Sequence, residues 1–419
     1  MADSSQYEPS RTRRGGRGVL QGQRETMPYP AHREFLGYRE RVYGGATRSR
    51  RARGWSAAVR GAGWCGVVFF CSCEVSIAPP PMIPPTTARP AGRDFSSAPL
   101  LPLTSGAVER FTGMLTSSGA HVYDLGEVRP GDRITVSVGA ALGGRLDPTV
   151  AIFDADHDLF AVNDDVDFLG GRLDARIDEV VRHASVHFYL GIAPSAYSQG
   201  GGGYTAEVTL TQAGPPVGVS RQRLLLNFVG GAAVEIRNVG TFNIPPFDAG
   251  RIDAAYEGET EEIRDQIVAV VRAKYAAFDV EVLASTEDAP VDEARVSTIY
   301  FGAASRTVFG ISEQVDTWNR DCCDDGIVYT DGFDNSFSNR PSSALIAVAI
   351  GQVAAHEAGH LLGLSHVADV VDLMDTSGVS STLLREQVFK RSILDRSVFP
   401  LGFQDGPKYL RATVGASAN

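Results

Sequence analysis

Two hydrophobic rhythms divide the chain. Between about 104 and 212, apolar and polar positions alternate in short runs: Ile134-Thr135-Val136-Ser137-Val138, Val150-Ala151-Ile152-Phe153, Val186 to Ile192 and Tyr204 to Leu210. Turn-forming stretches such as Arg129-Pro130-Gly131-Asp132 and Asp154 to Asp158 separate them. Period-two runs broken this regularly predict an antiparallel β-sandwich. After residues 213–220 (AGPPVGVS), which read as a linker, the rhythm changes. Leu224 to Val229 reads as a buried strand. Residues 258–278 read as an amphipathic helix, with Ile263, Ile267, Val270, Val271 and Tyr275 on one side. Strand-like runs follow at Val280 to Leu283, Val296 to Phe301 and Ile327 to Tyr329, then an Ala- and Ile-rich helix over Ser343 to Leu362. A last helix is expected near Leu383 to Leu394, presenting Leu384, Val388 and Ile393 and packing behind the previous one. The prediction is an α+β unit at 221–419 preceded by an all-β unit at 104–212.

Composition narrows the class. Of 419 residues, 43% are hydrophobic and 21% charged, ordinary values for a soluble globular protein. No run approaches the roughly 18 apolar residues of a membrane-spanning helix, so integral membrane association is not expected. The net charge of −11 is unevenly spread. Residues 1–60 hold 13 Arg, no Lys and five acidic residues, a net of +8, which leaves −19 on the remainder. So acidic a body is a poor partner for nucleic acid, whose binding depends on neutralising phosphates. The Arg-, Gly- and Pro-containing segment 1–60 reads as a disordered leader. Residues 61–78, with the apolar run GAGWCGVVFFCSC ahead of Ser76-Ile77-Ala78, resemble a secretory signal peptide, although Pro79 is a poor cleavage context. Residues 79–103 read as a Pro-rich linker, and the chain is expected to be secreted. Beyond Cys65, Cys71 and Cys73 the only cysteines are the adjacent Cys322 and Cys323. For these a vicinal disulfide, a free thiol and core packing all stay open, core packing being the expected role.

The chemistry concentrates in His356-Glu357-Ala358-Gly359-His360-Leu361-Leu362-Gly363-Leu364-Ser365-His366. Helical residues four apart share a face, so His356 and His360 can aim two imidazoles at one ion. Gly363 stands where the helix must end, and the turn it permits lets His366 return as a third ligand. Three protein ligands leave one coordination position open, the mark of a catalytic rather than a structural zinc site. Glu357, beside the first ligand, is placed to act as general base toward a zinc-activated water. Given only eight His, the full pattern arises by chance in on the order of 10⁻⁵ of such chains.

This pattern resembles the metzincin zinc metallopeptidases. Val371-Asp372-Leu373-Met374-Asp375 matches their methionine turn, with Met374 beneath the metal, and the short gap after His366 is similar to the matrixin-like branch. Val367 and Thr376 depart from better-known branches, where a polar residue and, in some, a tyrosine stand. The resemblance implies a twisted five-stranded sheet above the active-site helix. It also implies an edge strand near residues 306–312 that binds substrate in extended form, with Ile327 to Tyr329 as the last, central strand. Upstream, Tyr123-Asp124-Leu125, Pro130-Gly131-Asp132, Asp147-Pro148, Asn163-Asp164-Asp165 and Gly203-Tyr204-Thr205 follow the order of the bacterial pre-peptidase C-terminal domain, a small sandwich beside secreted peptidases.

Together these readings imply a secreted zinc endopeptidase acting on protein or peptide substrates, with one Zn²⁺ on His356, His360 and His366 and Glu357 as base. A binding or adhesion protein that works through the sandwich, with a vestigial metal unit, is the alternative. Ca²⁺ is a second cofactor to consider, since Asn163, Asp164, Asp165 and Asp167, or Asp331 and Asp334, offer oxygen ligands. The same residues can equally be solvated acidic turns.

Overall fold

The computed structural model describes residues 87–418 apart from 168, 199, 238, 287–294, 306 and 335. The leader, the signal-like segment with its three cysteines and the start of the Pro-rich stretch lie outside the described residues. What is described is a mixed α+β protein, rich in sheet with few helices.

Nine strands build the sandwich: β1 (Thr87–Ala88), β2 (Val108–Leu115), β3 (His121–Asp124), β4 (Arg133–Ala140), β5 (Pro148–Phe153), β6 (Leu159–Asn163), β7 (Ala175–Val180), β8 (Tyr189–Pro194) and β9 (Gly202–Thr211). They form sheets of order β1-β2-β9-β4-β7 and β3-β8-β5-β6, antiparallel throughout except for β1 on β2. Alternation sets the core: Ile134, Val136 and Val138 of β4 and Tyr204, Ala206, Val208 and Leu210 of β9 point inward and are buried. Residues 87–103, expected as linker, instead belong to this body. β1 pairs with β2, Gly92 bridges to Val122, and Leu101 is fully buried.

All six residues of β5 are buried. An alternating strand has one wet face, and β5 does not, because a second layer covers it. Ala151, Phe153 and Ala193 on the outer face of that sheet pack against Leu394 and Phe399 from the far end of the chain.

The second unit continues with β10 (Gln222–Asn227), β11 (Gly231–Ile236), β12 (Gly240–Ile244), α1 (Thr260–Tyr275), β13 (Val280–Ala284), β14 (Val296–Phe301), β15 (Gly310–Ser312), β16 (Asp325–Val328), α2 (Ser343–Leu361), β17 (Arg391–Ile393), β18 (Phe403–Asp405) and α3 (Gly406–Thr413). Its main sheet has five strands in the order β13-β10-β14-β16-β15. The first four are parallel and the edge strand β15 runs antiparallel to β16. The strand at Ile327 is therefore next to the edge rather than central; β14 holds the middle. The β11–β12 hairpin had no clear signal in the pattern of apolar positions.

Ser342 caps α2 through its hydroxyl, which accepts from the Leu345 amide, and the helix then runs nearly all buried. Of the described helices, only α2 has the length and hydropathy of a membrane span, but 78% of that window lies inside the protein. Small residues let it approach α1 closely, with Val270 against Gly351. On α1 the buried set is Ile263, Ile267, Val268, Val271 and Tyr275, with Val268 taking the depth expected of Val270.

No helix forms over Leu383 to Leu394. A short 3₁₀ turn at Ser380–Leu384 gives way to extended chain. The backbone there is claimed by tertiary partners: the Val388 amide donates to the Val371 carbonyl at 3.0 Å, and Leu373 donates back to Val388 at 3.0 Å. Gln352 of α2 donates to the carbonyls of Leu383 and Arg385 and accepts from the Gln387 amide. Such long-range bonds override a local helical preference. Val388 and Ile393, expected on a packed face, are exposed. The closing helix is α3.

The two units are clamped together. Asp154, Asp156 and Asp158 converge on Lys408 of α3, whose Nζ donates to all three at 2.7, 2.9 and 3.0 Å. Arg391 adds a bond to Asp158 at 2.6 Å. Trp318 sits between Phe160 of the sandwich, 4.8 Å away, and Tyr409, stacked at 4.2 Å. Arg320 reaches Glu179 at 2.5 Å.

Burial pushes the Asp154 carboxyl up, but the bonds from His183 and Lys408 outweigh it and hold it at about 2, below the ordinary 3.8. A depressed carboxylate contributes stability that is complete above the unfolded value and lost as pH falls through the folded one. Lys408→Ala removes the ammonium shared by two buried carboxylates, leaving Asp158 to Arg391 and Asp154 to His183, and should cost about 2 kcal/mol in urea unfolding at pH 7. The wild-type protein should lose stability between pH 3.8 and about 2, a loss blunted in the variant. Equal stability of the two proteins at pH 7 would show that the clamp is ornamental.

Candidate metal centre

Helix α2 ends where the motif requires. Gly363 has φ +94°, the Gly363 amide donates to the His360 carbonyl and Leu364 to Gly359, both at 2.9 Å. This pair of bonds is the Schellman arrangement, and a side chain at Gly363 would collide with the Tyr409 hydroxyl. The turn carries the chain back past Ser365, whose amide and carbonyl are both bonded to the buried Gln404 side chain of β18, at 2.7 and 2.8 Å. That clamp delivers His366 to the helix.

The three imidazoles converge. Their ring centroids lie 4.6 to 5.3 Å apart, and one nitrogen from each falls within 4.8 Å of the others. Nε2 of His360 and Nε2 of His366 are 2.9 Å apart. His356 Nδ1 donates to the Leu373 carbonyl and His360 Nδ1 to the Leu364 carbonyl, each at 2.7 Å. A carbonyl can only accept, so Nδ1 carries the proton in both rings and Nε2 presents its lone pair to the shared centre. Burial holds the His356 imidazole below its ordinary value, favouring the neutral form a metal needs. Three imidazole nitrogens meeting at one point fit a borderline-soft divalent ion such as zinc. Met374 is fully buried and its sulfur lies against Gly359, one residue before the second ligand; a Cβ there would stand 2.6 Å from Sδ. The Met374 amide is held by Asp372 at 2.9 Å.

Glu357 is buried on the side facing the sheet edge. Ser312 of β15 donates its hydroxyl to Glu357 Oε2 at 2.6 Å and lies 2.9 Å from the Glu357 carbonyl oxygen. Gly310 makes room for this approach, since a Cβ there would strike Oε1 of Glu357. Burial pushes the carboxyl up to about 7, against the pull of the Ser312 hydroxyl. A bound cation would favour its charged form. The triad, Glu357 and the edge strand share one cavity of about 480 Å³.

Ser312 and Gln404 carry no motif signal; their partners lie 45 and 39 residues away in sequence. Three of the calcium candidates are already bonded within the chain. Asn163 is spent on the Arg176 amide and the Asp165 carbonyl, Asp167 on Gly170 and Arg172, and Asp331 pairs with Arg251 at 2.7 Å. Among the described residues, groups of three or more metal-type ligands occur only at the His triad and at Asp154, Asp156 and Asp158, where Lys408 already stands. Cys322 is half-buried and Cys323 exposed, with sulfurs 3.7 Å apart and not bonded, so neither is a core residue.

No family model matches the chain, and no curated protein does. Solved structures resemble parts of it. The pre-peptidase C-terminal domain of a Bacillus anthracis collagenase is 18% identical over 29% of this chain and 98% of its own, with a TM-score of 0.21. A periplasmic inhibitor of g-type lysozyme from Aeromonas hydrophila is 16% identical over 30% and 96%, at 0.22. The archaemetzincin of Methanopyrus kandleri is 16% identical over 48% and 98%, at 0.25.

The geometry predicts one zinc per chain. His356→Ala, His360→Ala and His366→Ala should each weaken zinc at least about 100-fold in competition with a chromophoric chelator, while Asp331→Asn should change nothing. Unchanged affinity in any one histidine variant would remove that residue from the centre.

Proposed function

We propose that this chain is a secreted zinc-dependent endopeptidase of the metzincin type, with matrixin-like spacing and a sandwich akin to the pre-peptidase C-terminal domain. One observation carries the reading: three imidazoles converge, two of them with tautomers set by backbone carbonyls, and a buried carboxylate stands beside them. Zinc held by His356, His360 and His366 would supply Lewis acidity, polarising a peptide carbonyl and lowering the pKa of water toward about 7.

The remaining work falls to the chain's own groups. Glu357 accepts a proton from the attacking water and passes it to the leaving amine, a task suited to a carboxyl near neutrality. Ser312 keeps Oε2 aimed by bonding it from the edge strand. The outer edge of β15 offers unpaired backbone groups to an extended peptide, which would add as one more strand. The Leu373 carbonyl holds the His356 ring through Nδ1.

Casein hydrolysis tests this. Glu357→Ala at equal zinc content should lower turnover by about 10²- to 10⁴-fold. Chelation should abolish wild-type activity and zinc restore it. Ser312→Ala, which leaves the ligands alone, should cost about tenfold in kcat with zinc affinity intact. A Glu357→Ala variant that cleaves as fast as wild type would rule the mechanism out.

A further inference from the structure

The cavity that holds the triad is not walled by the second unit alone. Its far side is made by the sandwich: Thr149 of β5, Val162 and Asn163 of β6, Asp164 and Asp165 just after β6, and Tyr197 in the loop after β8. The clamp described above fixes this wall in place, through Lys408 on the Asp154 loop, Trp318 against Phe160 and Phe399 against Phe153. Tyr197 adds a bond to Ser397, and both line the cavity.

The wall has a sign. Among the described lining residues five are carboxylates, Asp164, Asp165, Glu313, Glu357 and Asp375, and none is Lys or Arg. Several of these charges are already engaged. Glu313 pairs with Arg237 at 3.3 Å, Glu357 is held by Ser312, and Asp375 caps the turn at Ser377 and Gly378. Asp164 is different. It is half-exposed, faces the cavity and has no ion-pair partner among the described residues.

We infer that the sandwich is the specificity wall of the active site, and that Asp164 selects substrates with a basic side chain, Arg or Lys, at one position near the scissile bond. The inference rests on the endopeptidase reading and deepens it. A peptide laid along β15 turns alternate side chains away from the sheet, and those reaching across the cleft meet the sandwich. A guanidinium or ammonium there gains a carboxylate partner; an acidic side chain meets repulsion.

The full chain, zinc-loaded, would be given fluorogenic peptides with Arg, Met or Glu at each position flanking one scissile bond. In wild type, kcat/KM for Arg should exceed that for Met at one position by on the order of tenfold. Asp164→Asn should bring the two to parity without slowing the Met peptide, and Asp164→Lys should turn the preference toward Glu. A basic preference that is absent, or unchanged in both variants, overturns the inference while leaving the peptidase standing. Calorimetry on zinc-loaded Glu357→Gln separates the remaining case. If wild type cleaves nothing but the Arg peptide still binds better than Met, and Asp164→Asn removes that advantage, the wall stands and the peptidase reading falls. If neither peptide binds, both fall.

Discussion

Three polar side chains buried along one apolar helix govern the surrounding architecture. Gln352, Glu357 and His360 of α2 are all buried, and a buried polar group without a partner costs roughly 1–3 kcal/mol. Each draws a different stretch of chain onto the helix. Gln352 takes the backbone at Leu383, Arg385 and Gln387; Glu357 takes Ser312 on the edge strand; His360 takes the Leu364 carbonyl in the closing turn. The edge strand β15, His366 and the segment at 383–387 are thus positioned by satisfying one helix. Structure and candidate chemistry share the same hydrogen bonds here.

Much of this was readable before any coordinates. His356 and His360 sit at helical spacing, Gly363 marks the stop, and His366 follows at the distance one turn permits; all of these are short-range features. The alternating strands were equally visible, but the burial of β5 on both faces was not, because Leu394 and Phe399 reach it from the far end of the chain. What escaped was set at long range. Ser312, Gln404 and Gln352 look like ordinary polar residues until their partners arrive from elsewhere in the chain. Leu384, Val388 and Ile393 have a helical spacing, yet their backbone is drawn into pairing with Val371 and Leu373. The position of β16 beside the edge follows from sheet order, which local periodicity does not encode.

The acidic loop Asp154-Ala155-Asp156-His157-Asp158 illustrates how similar residues can serve different ends. Alternate carboxylates of this kind suit a divalent ion, but an ammonium from α3 fills the space and makes the loop a joint. The carboxylates that follow β6, Asp164 and Asp165, line the cleft instead.

That joint imposes an order on biosynthesis. The sandwich can assemble its own core as soon as β9 has left the ribosome, since its inner residues come from 87–211. Its outer sheet cannot be covered then, because Leu394 and Phe399 have yet to be made. The apolar face around Phe153 therefore waits exposed while some two hundred residues are translated, at roughly 5–20 per second. For that interval the nascent sandwich carries an uncovered apolar face and a trio of aspartates without the Lys408 ammonium. The cleft gains its second wall only when residues 391–408 arrive, so the triad is complete in sequence before the chamber around it exists.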